Sequence, residues 1–288
     1  MRVLIFLLTN LAVLVVVAVV GSLLGIDRYL IETQGFSPQE LLGMLVMCSL
    51  FGFGGSLISL MMSRFMAVRA TGARVIEDPA NQVERLLVSE VRQLSQAAEL
   101  PMPQVAIYPS EQINAFATGA SRRSSLVAVS TGLLNQMDRR ELRGVLAHEV
   151  SHIANGDMVT MSLLQGVLNT FVYFISFVIA RILESRFRMG FFGYYMVVTV
   201  LQMVFGILAT MIAMAFSRHR EFRADAGGAK LGGREQMIAA LRRLQRTSET
   251  KDSLPDEVAA FGISGGVAGL LRSHPPLEER IKALESSY

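Results

Sequence analysis

The sequence predicts a mainly α-helical membrane protein, with four hydrophobic helices and a polar domain that is itself mainly helical with a small β-sheet. Three observations carry this. The chain of 288 residues is 51% hydrophobic and only 18% charged, with a mean hydropathy of +0.42, whereas ordinary soluble domains carry about 25% charged residues. The apolar excess gathers into four uncharged runs long enough to cross a hydrocarbon core. Between them, apolar residues recur at helical spacing, with two short β-rich stretches.

The first run, Val3 to Ile26, exceeds the roughly 7–15 apolar residues of a cleaved signal peptide, so a retained span is expected. The second, Leu41 to Ser63, is followed closely by Arg64, Arg69 and Arg74. The loop between these runs holds Asp27, Arg28, Glu32 and Glu40, and Arg2 precedes the first. The positive-inside rule then puts the N-terminus and the chain after Ser63 in the cytoplasm. The third run is Met158 to Ala180 and the fourth Met189 to Ser217. Their connection carries Arg181, Arg186 and Arg188, which two full spans would place outside, against that rule. Two spans are expected from the run lengths; helices ending short of the far side, or a hairpin packed on the protein, would relieve the conflict.

The expected organisation is two N-terminal transmembrane helices in 1–63, a first polar part in 64–157, a hydrophobic helical hairpin in 158–217 and a second polar part in 218–288. In the first polar part, Val83, Leu86, Leu87, Val91, Leu94 and Ala98 predict a helix over 82–99, begun by Asp78-Pro79 and ended by Pro101 and Pro103. Gln104–Tyr108 and Leu126–Ser130 read as strands. Asp138 and Glu141 form a capping box for a helix over 138–155, with Gly156 as its stop. In the second part, helix continues over 218–231, Gly232-Gly233 breaks it, and amphipathic helices follow at 234–246 and 277–286.

Composition also excludes. Net charge is only +3, and no basic block with interleaved aromatics or nucleic-acid motif is present, so nucleic acid is not an expected partner. The single cysteine, Cys48, rules out an internal disulfide and a Cys-rich metal site.

The chemistry sits in His148-Glu149-Val150-Ser151-His152. On a helix, residues four apart share a face, so two imidazoles can converge on one Zn²⁺. Glu149, one step round, can take the proton of an attacking water. Chance would produce this pattern in about 0.003 chains of this composition. A hydrolytic zinc needs a third protein ligand. The HExxHxxGxxH arrangement is excluded, because positions 155 and 158 are Asn155 and Met158. The remaining histidines are His219 and His274. Glu221 is the better candidate: it shares a helix face with Asp225, which would orient a ligand from behind. The competing reading is a solvated face pairing with Arg218 or Arg220. If the third and fourth runs form an antiparallel hairpin, both metal-binding segments emerge on one side, at the cytoplasmic boundary of the membrane.

Several segments in order resemble the HtpX-type membrane metalloproteases, relatives of the prenyl-protein endopeptidases: His148 to Asp157 (HEVSHIANGD), Arg220 to Asp225 (REFRAD), His274-Pro275-Pro276 with Arg280-Ile281, and Asn114 to Gly119 (NAFATG). The resemblance implies a gluzincin-like metalloprotease domain and one Zn²⁺ per subunit. It implies endopeptidase action on misfolded or damaged membrane polypeptides, as part of a stress response, in the lipid bilayer of the bacterial inner membrane. The active site would face the cytoplasm, and the setting leaves room for cooperation with other membrane proteases. Carried over, His148, His152 and Glu221 are ligands, Glu149 is the base, and Asp225 supports the ligands. His274 and Arg280 occupy the spacing of oxyanion-holding residues, although His274 would equally cap the last helix. Asn114, Ala115 and Phe116 would line the substrate groove, or Asn114 would simply make a turn, and Leu126–Ser130 would offer an edge strand. Two other readings remain: a processing peptidase for prenylated or otherwise specific substrates, and a non-catalytic membrane scaffold with a structural zinc.

Overall fold

A computed structural model describes residues 25–249 and 274–286, with Val15, Val19, Ser22 and Leu23 as isolated positions before them. In chain order the described elements are α1 (Ile26–Gln34), α2 (Pro38–Thr71), β1 (Arg74–Val75), α3 (Gln82–Ala97), β2 (Gln104–Tyr108), β3 (Ala115–Gly119), β4 (Ser125–Ser130), α4 (Thr131–Gln136), α5 (Arg139–Asn155), α6 (Asp157–Phe187), α7 (Gly190–Gly232), α8 (Arg234–Glu249) and α9 (Leu277–Ser286). The chain divides into two compact units: Met1–Ser59 with Met161–Ala213, and Leu60–Thr160 with Met214–Tyr288.

Among the described residues, α2, α6 and α7 are long and apolar enough to cross a membrane. They hold the second and third runs and, from Gly190 on, the fourth. The first run lies largely outside the described residues. Side chains such as Leu50, Phe51 and Met203 are about two-thirds exposed, a face that suits hydrocarbon rather than water. Within the first unit, α2 and α6 meet through small residues. A methyl group on Gly52 would lie 2.5 Å from Thr170 Oγ1 and 2.9 Å from the Gly166 carbonyl oxygen, and Ser162 Oγ donates to the Ser56 carbonyl at 2.8 Å. Lipid tails give helices no hydrophobic reason to associate, so close backbone approach and interhelical hydrogen bonds must hold them.

In the second unit a four-stranded sheet has the order β1-β2-β4-β3. β1 and β2 are antiparallel, β2 and β4 parallel, β4 and β3 antiparallel. The structure corrects one expectation here. Leu126–Ser130 is not an edge strand: β4 is hydrogen-bonded on both sides, and all six of its residues are buried. Its unbroken apolar run is the signature of a strand covered on both faces. The edge beside it is β3.

The face of the sheet bearing Val105, Val127 and Val129 packs with Leu87, Val91 and Leu94 of α3 and Leu142, Leu146 and Ile153 of α5. Asp138 caps α5 through a complete capping box with Glu141, and Gly156 ends it in the left-handed region at φ 72°. Glu90 of α3, fully buried, receives Arg139 Nε at 2.9 Å and also bonds Arg143. Arg143 Nε reaches the Gly232 carbonyl at 3.2 Å. A single arginine thus ties α5 to α3 and to the end of α7.

α5 also lies against α8 at near-backbone distance. A Cβ on Gly144 would stand 2.3 Å from the Gln236 carbonyl oxygen, which cannot yield as a side chain would. Gly144→Val should therefore destabilise the polar unit by about 1–3 kcal/mol through overpacking. Thermal unfolding of the purified full-length protein in detergent checks this; an unchanged midpoint would show that the two helices can part freely.

Candidate metal centre

The site is built from α5 outward. His148 and His152 stand one turn apart on α5, with ring centroids 4.6 Å apart and planes at 85°. Their Nε2 atoms lie 3.1 Å from each other. Glu221, from α7, is fully buried. Its Oε2 lies 3.3 Å from His148 Nε2 and its Oε1 3.4 Å from His152 Nε2. The glycines that follow Glu221 on α7 allow this approach. A Cβ on Gly227 would sit 2.1 Å from Ser151 Oγ, and one on Gly228 3.1 Å from the His148 amide nitrogen.

These three groups fit a metal ion. Two facing imidazole nitrogens cannot both donate, and the Glu221 oxygens are buried without a hydrogen bond of acceptable geometry. Arg280 Nη2 at 3.6 Å, Arg220 Nη2 at 3.7 Å and His274 Nδ1 at 2.8 Å approach Glu221 without a full hydrogen bond, which leaves lone pairs of a buried carboxylate open to a metal ion. A tetrahedral ion with bonds of about 2.0–2.1 Å separates neighbouring ligand atoms by about 3.3–3.4 Å. The imidazole nitrogens, 3.1 Å apart, and the two Glu221 oxygens, 3.3 Å from one and 3.4 Å from the other, lie near that spacing. His148, His152 and Glu221 are thus a group able to hold a metal ion.

Each imidazole presents Nδ1 to a second carboxylate. His152 Nδ1 pairs with Asp157 Oδ2 at 2.6 Å. His148 Nδ1 lies 2.9 Å from Asp225 Oδ1, an ion-pair contact whose angles are too poor for a full hydrogen bond. Both contacts favour Nδ1 as donor and leave Nε2 for ligation. Burial opposes charge on His148, but Asp225 and Glu221 outweigh it and push its pKa up to about 9. The His152 pKa is likewise raised: burial opposes, and Asp157 and Glu221 prevail.

The structure brings together most of the expected residues. Asp225 is buried and takes both Arg280 Nε at 2.7 Å and Arg280 Nη2 at 2.6 Å. The Glu221–Asp225 face is therefore not a solvated surface. Arg280 is itself buried; its fork holds Asp225, with Nη2 also 3.6 Å from Glu221 Oε2. His274 is mostly exposed, with Nδ1 2.8 Å from Glu221 Oε2. Glu149 lines a cavity of about 450 Å³ together with Asn114, Ala115, His274 and Arg280. Phe116 is placed differently: it packs on Tyr108 across the other face of the sheet, with ring centroids 5.6 Å apart. Strand alternation separates it from Ala115.

Sequence reasoning assigned no role to Asp157 or Arg223. Asp157 is fully buried, and its other oxygen accepts from Arg223 Nη2 at 2.6 Å. The available signal was the segment His152 to Asp157, but Asp157 follows a stop glycine and opens a helix, so it reads as a cap. It also assigned no role to the apolar wall that Met237, Leu241 and Leu244 of α8 contribute to the cavity.

Two histidines and a glutamate from a distant helix, with a second glutamate lining the cavity beside them, are the groups that metallopeptidase chemistry uses, and among the described residues three helices are long and apolar enough to cross a membrane. Residues 81–287 match peptidase family M48. The chain is 56% identical to a protein named Protease HtpX from Xanthomonas campestris pv. campestris, over 99% of this chain and 97% of that one. It is 54% identical to Protease HtpX from Stenotrophomonas maltophilia, over 99% and 98%. The crystal structure of S. mikatae Ste24p shares the fold at 21% identity with a TM-score of 0.56, covering 97% of this chain and 66% of that one. The chain belongs to peptidase family M48 and is a membrane-bound metalloprotease.

A metal ion entering this site must displace protons from the imidazoles. With the His148 pKa raised to about 9, apparent affinity should rise with pH through neutrality. The expected slope approaches about tenfold per unit, flattening as pH nears that value. Chelator competition from about pH 6 to about pH 8 measures the slope. A flat profile would mean the histidines carry no proton to lose.

Proposed function

We propose that this protein is a zinc-dependent endopeptidase of the bacterial inner membrane, with its active site on the cytoplasmic side, that cleaves misfolded or damaged membrane proteins. The observation that carries the reading is the convergence of His148 Nε2, His152 Nε2 and the Glu221 carboxylate beside Glu149 and a cavity. Zinc is the metal of choice because neutral nitrogen and carboxylate ligands in tetrahedral spacing suit it. The cytoplasmic side is read from Arg64, Arg69 and Arg74 after the second run, with Arg181, Arg186 and Arg188 the opposing signal.

Bound by these three residues, Zn²⁺ supplies Lewis acidity for peptide hydrolysis. The chain's own groups do the rest. An extended substrate adds to the edge of β3, which among the described residues pairs with β4 alone, so that its backbone N–H and C=O groups bind the substrate main chain. Asn114 and Ala115 then lie along it. The Glu149 carboxylate takes a proton from the attacking water and passes it to the departing amine nitrogen. His274, exposed at the cavity, holds the developing negative oxygen. Arg280 acts from behind, fixing Asp225 and through it His148. A structural zinc would have no use for Glu149, so a non-catalytic scaffold explains less.

Glu149→Gln should keep zinc and lose about 10²–10⁴-fold in cleavage of an unfolded membrane protein. Metal content and gel-based turnover on the same preparation check this, and equal turnover by both proteins would remove Glu149 from the mechanism. The cavity beside Glu149 is walled by Leu133, Val145, Met237, Leu241 and Leu244. A peptide series varied next to the cut should thus be cleaved fastest with large apolar residues and slowest with acidic ones. Indifference to that residue would detach the cavity from substrate binding.

A further inference from the structure

The two histidines are held by matching arrangements that both lead to one helix. His148 faces Asp225, which Arg280 grips with two nitrogens. His152 faces Asp157, which Arg223 grips with one. Asp225 and Arg223 both belong to α7, the helix that carries Glu221. One helix therefore reaches all three members of the metal group: Glu221 directly, His148 through Asp225, and His152 through Arg223 and Asp157.

Arg223 has the outward look of a surface residue, since half of its side chain is exposed. An ordinary exposed ion pair contributes about 0–1 kcal/mol and matters little. This pair differs on its other side. Asp157 is fully buried, and its second oxygen is 2.6 Å from a metal-facing imidazole. Among the described residues the carboxylate has two side-chain anchors, His152 and Arg223. Without Arg223, the described partner that remains is the ring it is meant to hold, and the ring gains freedom to turn Nε2 away from the other two groups.

We propose that Arg223 is a positioning residue for the metal centre, acting through Asp157 to fix the orientation of His152. The proposal rests on the zinc-centre reading given above. Its effect falls on metal affinity far more than on the fold, because the exposed guanidinium contributes little packing, while outer partners of ligating histidines are typically worth about 10–100-fold in affinity.

The test uses the full-length protein in detergent, with Zn²⁺ affinity measured by chelator competition and unfolding followed with and without metal. Arg223→Gln should bind Zn²⁺ about tenfold or more weakly, with the metal-free unfolding midpoint unchanged. Asp157→Asn should lose at least as much, and the double variant should be no weaker than Asp157→Asn alone, because the arginine acts through that carboxylate. Wild-type affinity in Arg223→Gln, or losses that multiply in the double variant, would overturn the proposal. If Arg223→Gln does not fold, wild-type affinity in Asp157→Asn overturns it equally. His152→Ala is the control for the site itself. Zinc binding that survives this change, or is absent from the wild type, sinks the metal-centre reading and the proposal together. Binding lost there but intact in Arg223→Gln sinks the proposal alone.

Discussion

The structure turns on a buried negative charge. Glu221 is shut away from solvent between the imidazoles of His148 and His152, with His274, Arg280 and Arg220 also within ion-pair reach, and accepts no well-formed hydrogen bond. A carboxylate in that position is costly unless a cation shares the space. The neighbouring groups are arranged around this need. Two further carboxylates hold the imidazoles by their far nitrogens, and two arginines hold those carboxylates in turn. Remove the cation and the centre becomes a cluster of acids and bases whose protons must balance the charge. Supply it and those protons leave. Metal binding, protonation and the local fold are therefore one coupled equilibrium.

That centre can form only if helices approach more closely than most side chains permit. Gly144 brings α5 against α8, and Gly227 and Gly228 bring α7 against α5. The approach leaves α5 pressed from several sides, with Leu146 and Val150 fully buried. Buried residues in interdigitated cores hold their rotamers, which supports the sub-ångström placement that a ligand set demands. The Glu90–Arg143 contact and the Arg143 bond to Gly232 serve the same end at the opposite end of α5. Glu149, the proposed base, escapes this enclosure only in part, because its helix face turns it toward the cavity.

Much of this was legible in the residues. The capping box at Asp138 and Glu141, the stop at Gly156 and the break at Gly232-Gly233 all mark real element ends, because caps are local chemistry. The pairing of Glu221 with Asp225 was readable from their spacing. Other features were not. Ala115–Gly119 is a short strand of weak pattern, and nothing in it shows that it, rather than the strongly apolar Ser125–Ser130, would lie at the sheet edge. Strand order is set by the connections and by which face each helix covers. The resemblance of the Asn114–Gly119 segment put Phe116 in the groove, yet the strand's period of two sends it to the face opposite Ala115.

By itself, the sequence determined the membrane character of the chain, the helical spacing of His148, Glu149 and His152, and the helix ends that frame them. These depend on residues within a turn or two of each other, or on the summed apolarity of a run. Only the tertiary structure decided that Glu221 meets the two histidines, that Arg280 holds Asp225, and that Asp157 and Arg223 stand behind His152. Those contacts join residues up to 73 positions apart. Local propensity has no term for such distances; packing at glycine contacts and the charge balance of a buried site do.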